Sequence, residues 1–407
     1  MTETLHTRAP GRESGRSAVA RLVCVPPEVF ADTVWGTRPL LSRAADLPQP
    51  FDDLLDADAV DTLVTTRGLR TPFLRVAKDG RTLSAADFTA GGGVGASVAD
   101  QVSDEKLARL FIDGATIVLQ ALHRTWEPLM RFGQQISDEL GHPTQINAYV
   151  TPPQARGFDD HYDVHDVFVL QTGGEKRWRI HEPVLQWPLR DQPWTERRDA
   201  VAAAAAEPAV IDTVLRPGDC LYLPRGYLHA ATALGGVSTH VTIGVHAYTR
   251  HHLAEQLATD ALRLAADDPA FREALPLGAE GVADEMAAVR TLLAAALERV
   301  DTAAVEQRVR ADARSGGRAE PIGPLEQLRA VDALTEDDVV RLRHHLQATV
   351  EQRDGGVALA SRAGRFSISA DEHEAVARLL HGPVLARDLG VDLARRLMRA
   401  SIVVQAD

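Results

Sequence analysis

The sequence predicts an α+β chain built around an antiparallel β-sandwich or barrel, with helical segments before and after it. Three observations carry this. Between residue 145 and about residue 249, short apolar stretches are punctuated by turn signals at Gly173-Gly174, Arg216-Pro217-Gly218, Pro224-Arg225-Gly226 and Gly235-Gly236. Residues 250–264, 285–299 and 303–313 then place Leu and Ala on one side and charge on the other, the pattern of amphipathic helices. After a Gly/Pro-rich linker from Ser315 to Pro324, helix and strand patterns alternate to the end.

Composition narrows the classes. The 407 residues are enough for two or three domains with their own cores. Hydrophobic residues at 45% and charged residues at 25% are the balance of a soluble protein. A formal charge of −13 and a pI near 5.6 exclude a general nucleic-acid binder and leave room for a basic protein partner. With Cys24 and Cys220 as the complete cysteine set, neither a disulfide framework nor a thiolate zinc cluster can be built. No apolar run approaches the roughly 20 residues of a membrane span. Residues 1–17 lack the apolar centre of a signal peptide and are expected to be disordered, which makes cytoplasmic the default location.

Taken in order, Pro26-Pro27-Glu28-Val29-Phe30 opens a helix, since proline suits a first turn. Trp35-Gly36-Thr37-Arg38-Pro39 ends it. Strands are expected at 69–76 and 81–83 around the turn Lys78-Asp79-Gly80. The glycines of 89–97 are followed by no Gly-Lys-Ser/Thr, so this run reads as a loop and not a phosphate cradle. A strand at 115–119, a helix at 126–140 and a strand at 145–152 follow. The stretch 158–181, FDDHYDVHDVFVLQTGGEKRWRIH, gives a polar triplet, an alternating apolar strand, a Gly-Gly turn and Lys176. Residues 202–206 are an inserted surface helix or loop. Beyond the linker, 335–346 reads as a helix capped by Thr335, then strands at 357–360 and 365–368, helices at 371–380 and 391–398, and a strand at 401–405. This order resembles a winged helix, but Glu336, Asp337, Asp338, Asp371, Glu372 and Glu374 make it a poor DNA reader and favour a structural or protein-binding role.

The chemistry concentrates in two segments. Alternate residues of an extended chain share a face, so His161 and Asp163 converge. A second histidine completes a two-histidine, one-carboxylate triad, the set that leaves positions open on a non-haem Fe(II). His229 is the candidate, because it closes a strand and tight turn, PGDCLYLPRGYLH, that swings a ligand back over a barrel mouth. The bland alternative is chance. The chain has 15 histidines, and His165, His181, His240 and His246 compete for roles. His165 shares parity with the proposed pair, and His240 is either supporting or core. Lys176 offers a cation for the distal carboxylate of a chelating oxoacid, although spacing alone favours a solvated hairpin charge.

These residues resemble the JmjC/cupin-type 2-oxoglutarate oxygenases, and most closely the ribosomal oxygenases. HYDVHDVFVLQTGGEKRWRI is similar to the family's metal and cosubstrate strand, and Gly218-x5-Pro224-x-Gly226-x2-His229 matches the second cupin motif without a gap. Asn147-Ala148-Tyr149-Val150-Thr151-Pro152-Pro153, Trp35-Gly36-Thr37-Arg38-Pro39 and residues 114–119 extend the likeness over nearly the whole chain. The resemblance implies Fe(II) on His161, Asp163 and His229, 2-oxoglutarate anchored on Lys176, and Asn147 and Tyr149 facing the pocket. It implies a double-stranded β-helix (cupin/JmjC jelly roll) over 18–249, a helical dimerisation region over 250–314 and a winged-helix domain over 321–407. The activity implied is hydroxylation of an arginine or histidine C–H in a ribosomal protein, with release of succinate and CO2, by a homodimer that touches neither nucleic acid nor membrane. The rival readings are the same chemistry on a peptide or small molecule, and a non-catalytic metal-binding cupin scaffold. Thr232 and Ala233 stand where the second motif usually continues to Asn, and His165 departs from the family pattern. Both departures bear on substrate more than on metal.

Overall fold

A computed structural model describes residues 17–155, 158–277, 281–353 and 356–406. The expected disordered start thus lies outside the described residues, Ser17 excepted. The chain divides into two compact units, Ala247–Gly317 and the remainder on either side of it in sequence.

The larger unit is organised by two long strands, Asp166–His181 and Leu228–Val245, which pair antiparallel with each other. Their register shifts between Leu234 and Thr239 and again before His240, and the sheet folds over at this point. On one side of the shift, Val167–Leu170 pairs with Cys220–Leu223, and residues 238–245 pair with Thr144–Thr151. Leu40–Ser42 extends this half at one edge; Thr116–Leu119, Leu74–Lys78 and Arg81–Thr82 extend it at the other. On the far side of the shift, residues 176–180 pair with Ile211–Leu215. The period of two puts Val167, Val169, Leu221 and Leu223 of one half in a common buried cluster with Trp178, Ile180 and Leu215 of the other. The alternate residues Phe168, Leu170, Tyr222, Ile146, Ala148, Val241 and Ile243 pack outward against Phe30, Leu63, Leu107, Leu129 and Phe132 of the N-terminal helical pieces. This is an antiparallel barrel-like sheet, one of the two architectures expected for residues 145–249.

Two expected turns are not turns. Gly173-Gly174 and Gly235-Gly236 lie inside the two long strands, facing each other across the register shift. Gly174 has φ +61°, and a Cβ there would sit 2.1 Å from the Val237 carbonyl oxygen, so the bulge needs glycine. Gln171 Nε2 clamps it, donating to the carbonyls of Gly173 (2.8 Å) and Gly174 (3.2 Å) and to Ser238 Oγ (2.9 Å).

The C-terminal residues of the same unit correct a third expectation. Residues 335–346 are not a helix: Asp338 accepts bonds from Thr335 N (2.6 Å) and Oγ1 (2.8 Å) in a turn, and Val339–Leu342 is a strand between Val384–Leu385 and Val403–Gln405. The helix instead occupies Pro324–Ala333, with Pro at its first turn. A meander of Thr349–Arg353, Gly356–Ser361 and Gly364–Ile368 and the helices His373–His381 and Val391–Arg399 complete this region around Val340, Leu359, Val376 and Leu397.

The smaller unit comprises the helices Arg250–Ala266, Val282–Glu298 and Thr302–Ser315, joined through Ala261, Ala265, Ala296 and Val305. Arg308 ties it internally, donating to Asp260 (2.9 Å) and Gln256 (3.1 Å). Among the described residues no helix is long and apolar enough to cross a membrane.

Candidate active site

His161 and His229 are joined backbone to backbone: His161 N donates to His229 O (3.2 Å) and His229 N to His161 O (2.8 Å). His161 sits in this isolated bridge and not in an extended strand, because the long strand begins only at Asp166. Convergence therefore comes from the bridge rather than from strand parity. One ligand atom each from His161, Asp163 and His229 lies within 4.8 Å of the others. The imidazole centroids are 4.4 Å apart, and His229 Nε2 is 3.7 Å from Asp163 Oδ2. Each ring donates Nδ1–H to a carbonyl, His161 to Asp159 (2.7 Å) and His229 to Tyr227 (3.1 Å), which leaves both Nε2 lone pairs bare. Burial, reinforced by His161, pushes His229 down to about 4, so the ring is neutral near pH 7. Burial alone would raise the Asp163 carboxyl, but His165, His229 and His161 outweigh it and hold it below the usual carboxylate range.

The turn that delivers His229 is fixed from behind. Gly226 has φ +95°, and a Cβ there would lie 2.5 Å from the Leu185 carbonyl oxygen. Its N–H donates to Asp163 O at 3.0 Å, linking turn to carboxylate ligand. The wholly buried Asp166 accepts from Tyr222 Oη (3.0 Å) and Arg225 Nη1 (3.1 Å). Gly36 N donates to Tyr222 Oη (2.8 Å), and the Trp35 ring stacks on Tyr222 at 5.7 Å. The Trp35-Gly36 motif thus supports the site from its outer face.

Further inside the barrel stands Lys176, only 3% exposed. It is on the long strand itself, not one hairpin away from it, because the Gly-Gly pair makes a bulge. Its Nζ donates to Thr151 Oγ1 at 3.1 Å and approaches His240 Nδ1 at 3.5 Å, and among the described residues no carboxylate pairs with it. Burial pushes this ammonium down to about 7. Asn147 and Tyr149 share the face of Thr151 on the strand Thr144–Thr151. Asn147 Oδ1 accepts from Ala121 N (3.0 Å), and Tyr149 lies parallel to His240 at 4.9 Å, its phenol raised by burial. His165 is not in the triad; it lies edge-on to His246 at 5.1 Å and against Gly244.

Sequence reasoning missed Thr151, Trp178 and Arg75. Strand parity from Tyr149 and Lys176 points to the first two. Arg75 sits over the Phe158 ring at 5.3 Å and helps hold Asp163 ionised, and only the pairing of Leu74–Lys78 into the sheet brings it there.

Comparisons with known proteins bear on the domain and the fold. Residues 122–253 match the model of the JmjC domain. Ribosomal oxygenase 2 of Bos taurus is 37% identical over 134 residues, 32% of this chain and 28% of that protein. Ribosomal oxygenase 1 of Homo sapiens is 28% identical over 239 residues, 57% of this chain and 35% of that protein. The chain therefore spans about a third of the length of these curated relatives. Among solved structures, the Escherichia coli ribosomal oxygenase YcfD in complex with cobalt and 2-oxoglutarate aligns over 95% of this chain and 99% of that one, with a TM-score of 0.57 and 20% identity. At that identity the likeness is one of fold.

Proposed function

From a chain that carries a JmjC domain and is similar to ribosomal oxygenases, we infer an Fe(II)- and 2-oxoglutarate-dependent hydroxylase that acts on an arginine or histidine side chain of a ribosomal protein. The observation that carries this reading is the buried Lys176, a cation that has no carboxylate partner among the described residues, on the inner face of the barrel that also holds the triad. A lone buried ammonium is costly, and an incoming carboxylate removes that cost.

The residues fit both groups. His161 and His229 present bare Nε2 atoms, and Asp163 supplies the anion that a divalent iron prefers in a facial triad. Lys176, with Thr151 beside it, suits the distal carboxylate of an oxoacid whose other end chelates the metal. When bound, Fe(II) and 2-oxoglutarate supply the oxidising power: one atom of O2 enters a substrate C–H bond, the other enters succinate, and CO2 is lost. The chain contributes placement and dryness. Val167, Val169, Trp178 and Ile180 exclude water from the barrel interior, and the backbone bridge fixes the two histidines relative to each other. The −13 charge suits a basic ribosomal segment. Within this reading the helices of Ala247–Gly317 pair two copies, supported by the exposed Leu253, Leu262, Met286 and Val289, and residues 321–407 serve as a winged-helix-like docking region.

The test has two parts. The purified protein with Fe(II), O2 and 2-oxoglutarate should form succinate and add one oxygen to a ribosomal protein. Asp163→Ala should lose at least a hundredfold in that rate and in iron affinity. Wild type that forms no succinate, or Asp163→Ala that keeps full activity, would sink the reading.

A further inference from the structure

His240 has no role in the triad, yet its contacts are specific. It is 3% exposed, on the inner face of Leu228–Val245, held between two rings. Tyr149 lies parallel to it at 4.9 Å and 5°, and Trp178 meets it edge to face at 5.4 Å and 86°. Within that clamp its Nδ1 is turned to Lys176 Nζ at 3.5 Å. An ammonium has three hydrogens and no lone pair, so the nitrogen facing it must be the acceptor. While Lys176 carries its proton, that puts the proton of the neutral ring on Nε2.

We propose that His240 is a positioning residue for the cosubstrate anchor: as the Nε2–H tautomer it accepts one Lys176 hydrogen at Nδ1, Thr151 accepts a second, and the third is left for an incoming carboxylate. The inference deepens the 2-oxoglutarate reading and rests on it. An ammonium stem has many rotamers, and two fixed acceptors select the one in which the remaining N–H has no partner among the described residues. The forced tautomer has a second consequence. Nε2–H has no acceptor among the described residues, so it is a further donor for the same ligand or for an ordered water. The titratable groups that face Lys176 and His240 are each other, Tyr149 from Thr144–Thr151, and His229 from the start of His240's own strand. No carboxylate is among these neighbours.

Two variants separate positioning from packing. His240→Phe keeps a ring against Tyr149 and removes both nitrogens; His240→Asn gives up the ring and keeps an acceptor oxygen. With Zn(II) replacing iron, calorimetry with 2-oxoglutarate should show His240→Phe binding roughly tenfold or more weakly, with the loss of affinity on raising pH beginning at lower pH than in wild type. His240→Asn should stay within about threefold of wild type. Imidazole 15N shifts of the metal-free protein below about pH 7, where Lys176 keeps its proton, should report the Nε2–H tautomer at His240. Equal affinity and pH profile in His240→Phe, a His240→Asn as weak as His240→Phe, or the Nδ1–H tautomer would each overturn the inference. Wild type that binds no 2-oxoglutarate overturns the function it rests on as well, and that result is visible before any variant is made.

Discussion

Lys176 is the residue at which stability and function oppose each other. Its ammonium lies in the barrel interior, where burial pushes it down to about 7 from an ordinary value near 10.5. The folded pKa is depressed, so between about pH 7 and pH 10.5 the unfolded chain binds the extra proton, and stability of the ligand-free protein rises with pH across that window. Lys176→Met removes the charge and keeps most of the volume. It should therefore stabilise the ligand-free protein at pH 7 by on the order of a few kcal/mol at most, read as a higher melting temperature, while abolishing 2-oxoglutarate binding. Scanning calorimetry and titration calorimetry on the same samples check both halves. A destabilised Lys176→Met that still binds would refute the anchor role. Affinity has the opposite pH sign to stability. The complex keeps the lysine protonated while the free protein loses that proton above about 7, so 2-oxoglutarate should bind about tenfold more weakly per pH unit above that point. Flat affinity from pH 6.5 to 8.5 together with unchanged affinity in Lys176→Met would show that Lys176 does not carry the ligand.

Among elements, the turn 224–226 concentrates the most function in the fewest residues. It aims His229, donates Gly226 N–H to Asp163 O, and is held by Arg225 on Asp166. Gly226→Ala meets both a positive φ and the Leu185 carbonyl, so it should cost on the order of 1–3 kcal/mol and weaken Mn(II) binding tenfold or more. Gly235→Ala, at φ +66° with nothing within 4 Å of the added Cβ, is the control and should leave Mn(II) affinity unchanged. Denaturant unfolding and metal titration read the two effects; equal metal affinity in both variants would remove the turn from the site. The same contrast explains what the sequence could reveal. The Pro-x-Gly turn before His229 was legible because a ligand three residues beyond a glycine needs a tight reversal, whatever lies elsewhere. Gly173-Gly174 was misread because a glycine that permits a bulge looks the same as one that makes a turn, and only the partner strand decides. Lys176 was misplaced for the same reason, since Thr151 and His240, which define its surroundings, are 25 and 64 residues away. Thr335-Glu336-Asp337-Asp338 imitated a helix cap because the local chemistry of a turn and a cap is shared, and Val339-Val340 then joined a sheet whose other strands come from residues 384–385 and 403–405.

At the scale of the whole molecule, the C-terminal region is tied to the element that supports the strand Thr144–Thr151. Asp138, near the end of the helix Glu127–Leu140, faces His345 Nδ1 at 2.7 Å and Arg362 Nη1 at 3.1 Å, and one turn earlier Gln134 Nε2 donates to Ala319 O at 3.0 Å. The other face of that helix lies under Thr144–Thr151: Leu129, Phe132 and Ile136 share the core with Ile146, and a Cβ on Gly133 would come within 2.8 Å of Ile146 Cδ1. A strand that carries Asn147, Tyr149 and Thr151 on its inner face is thus braced through one helix by residues from the far end of the sequence. Asp138→Ala leaves His345 and Arg362 facing each other without the anion between them, with the Arg362 side chain only 5% exposed. Removing one partner of a largely buried ion pair is costly, so the variant should lose on the order of 1–3 kcal/mol of stability. The loss should appear as the C-terminal region melting ahead of the barrel, with protease cleavage first among residues 318–407. The face carrying Asn147, Tyr149 and Thr151 is untouched by the change, so 2-oxoglutarate affinity below the first transition should move less than about twofold. Calorimetry and limited proteolysis check this directly. A single unshifted transition would mean that the tie contributes nothing, and a large fall in cosubstrate affinity would mean that the C-terminal region shapes the pocket as well as bracing it.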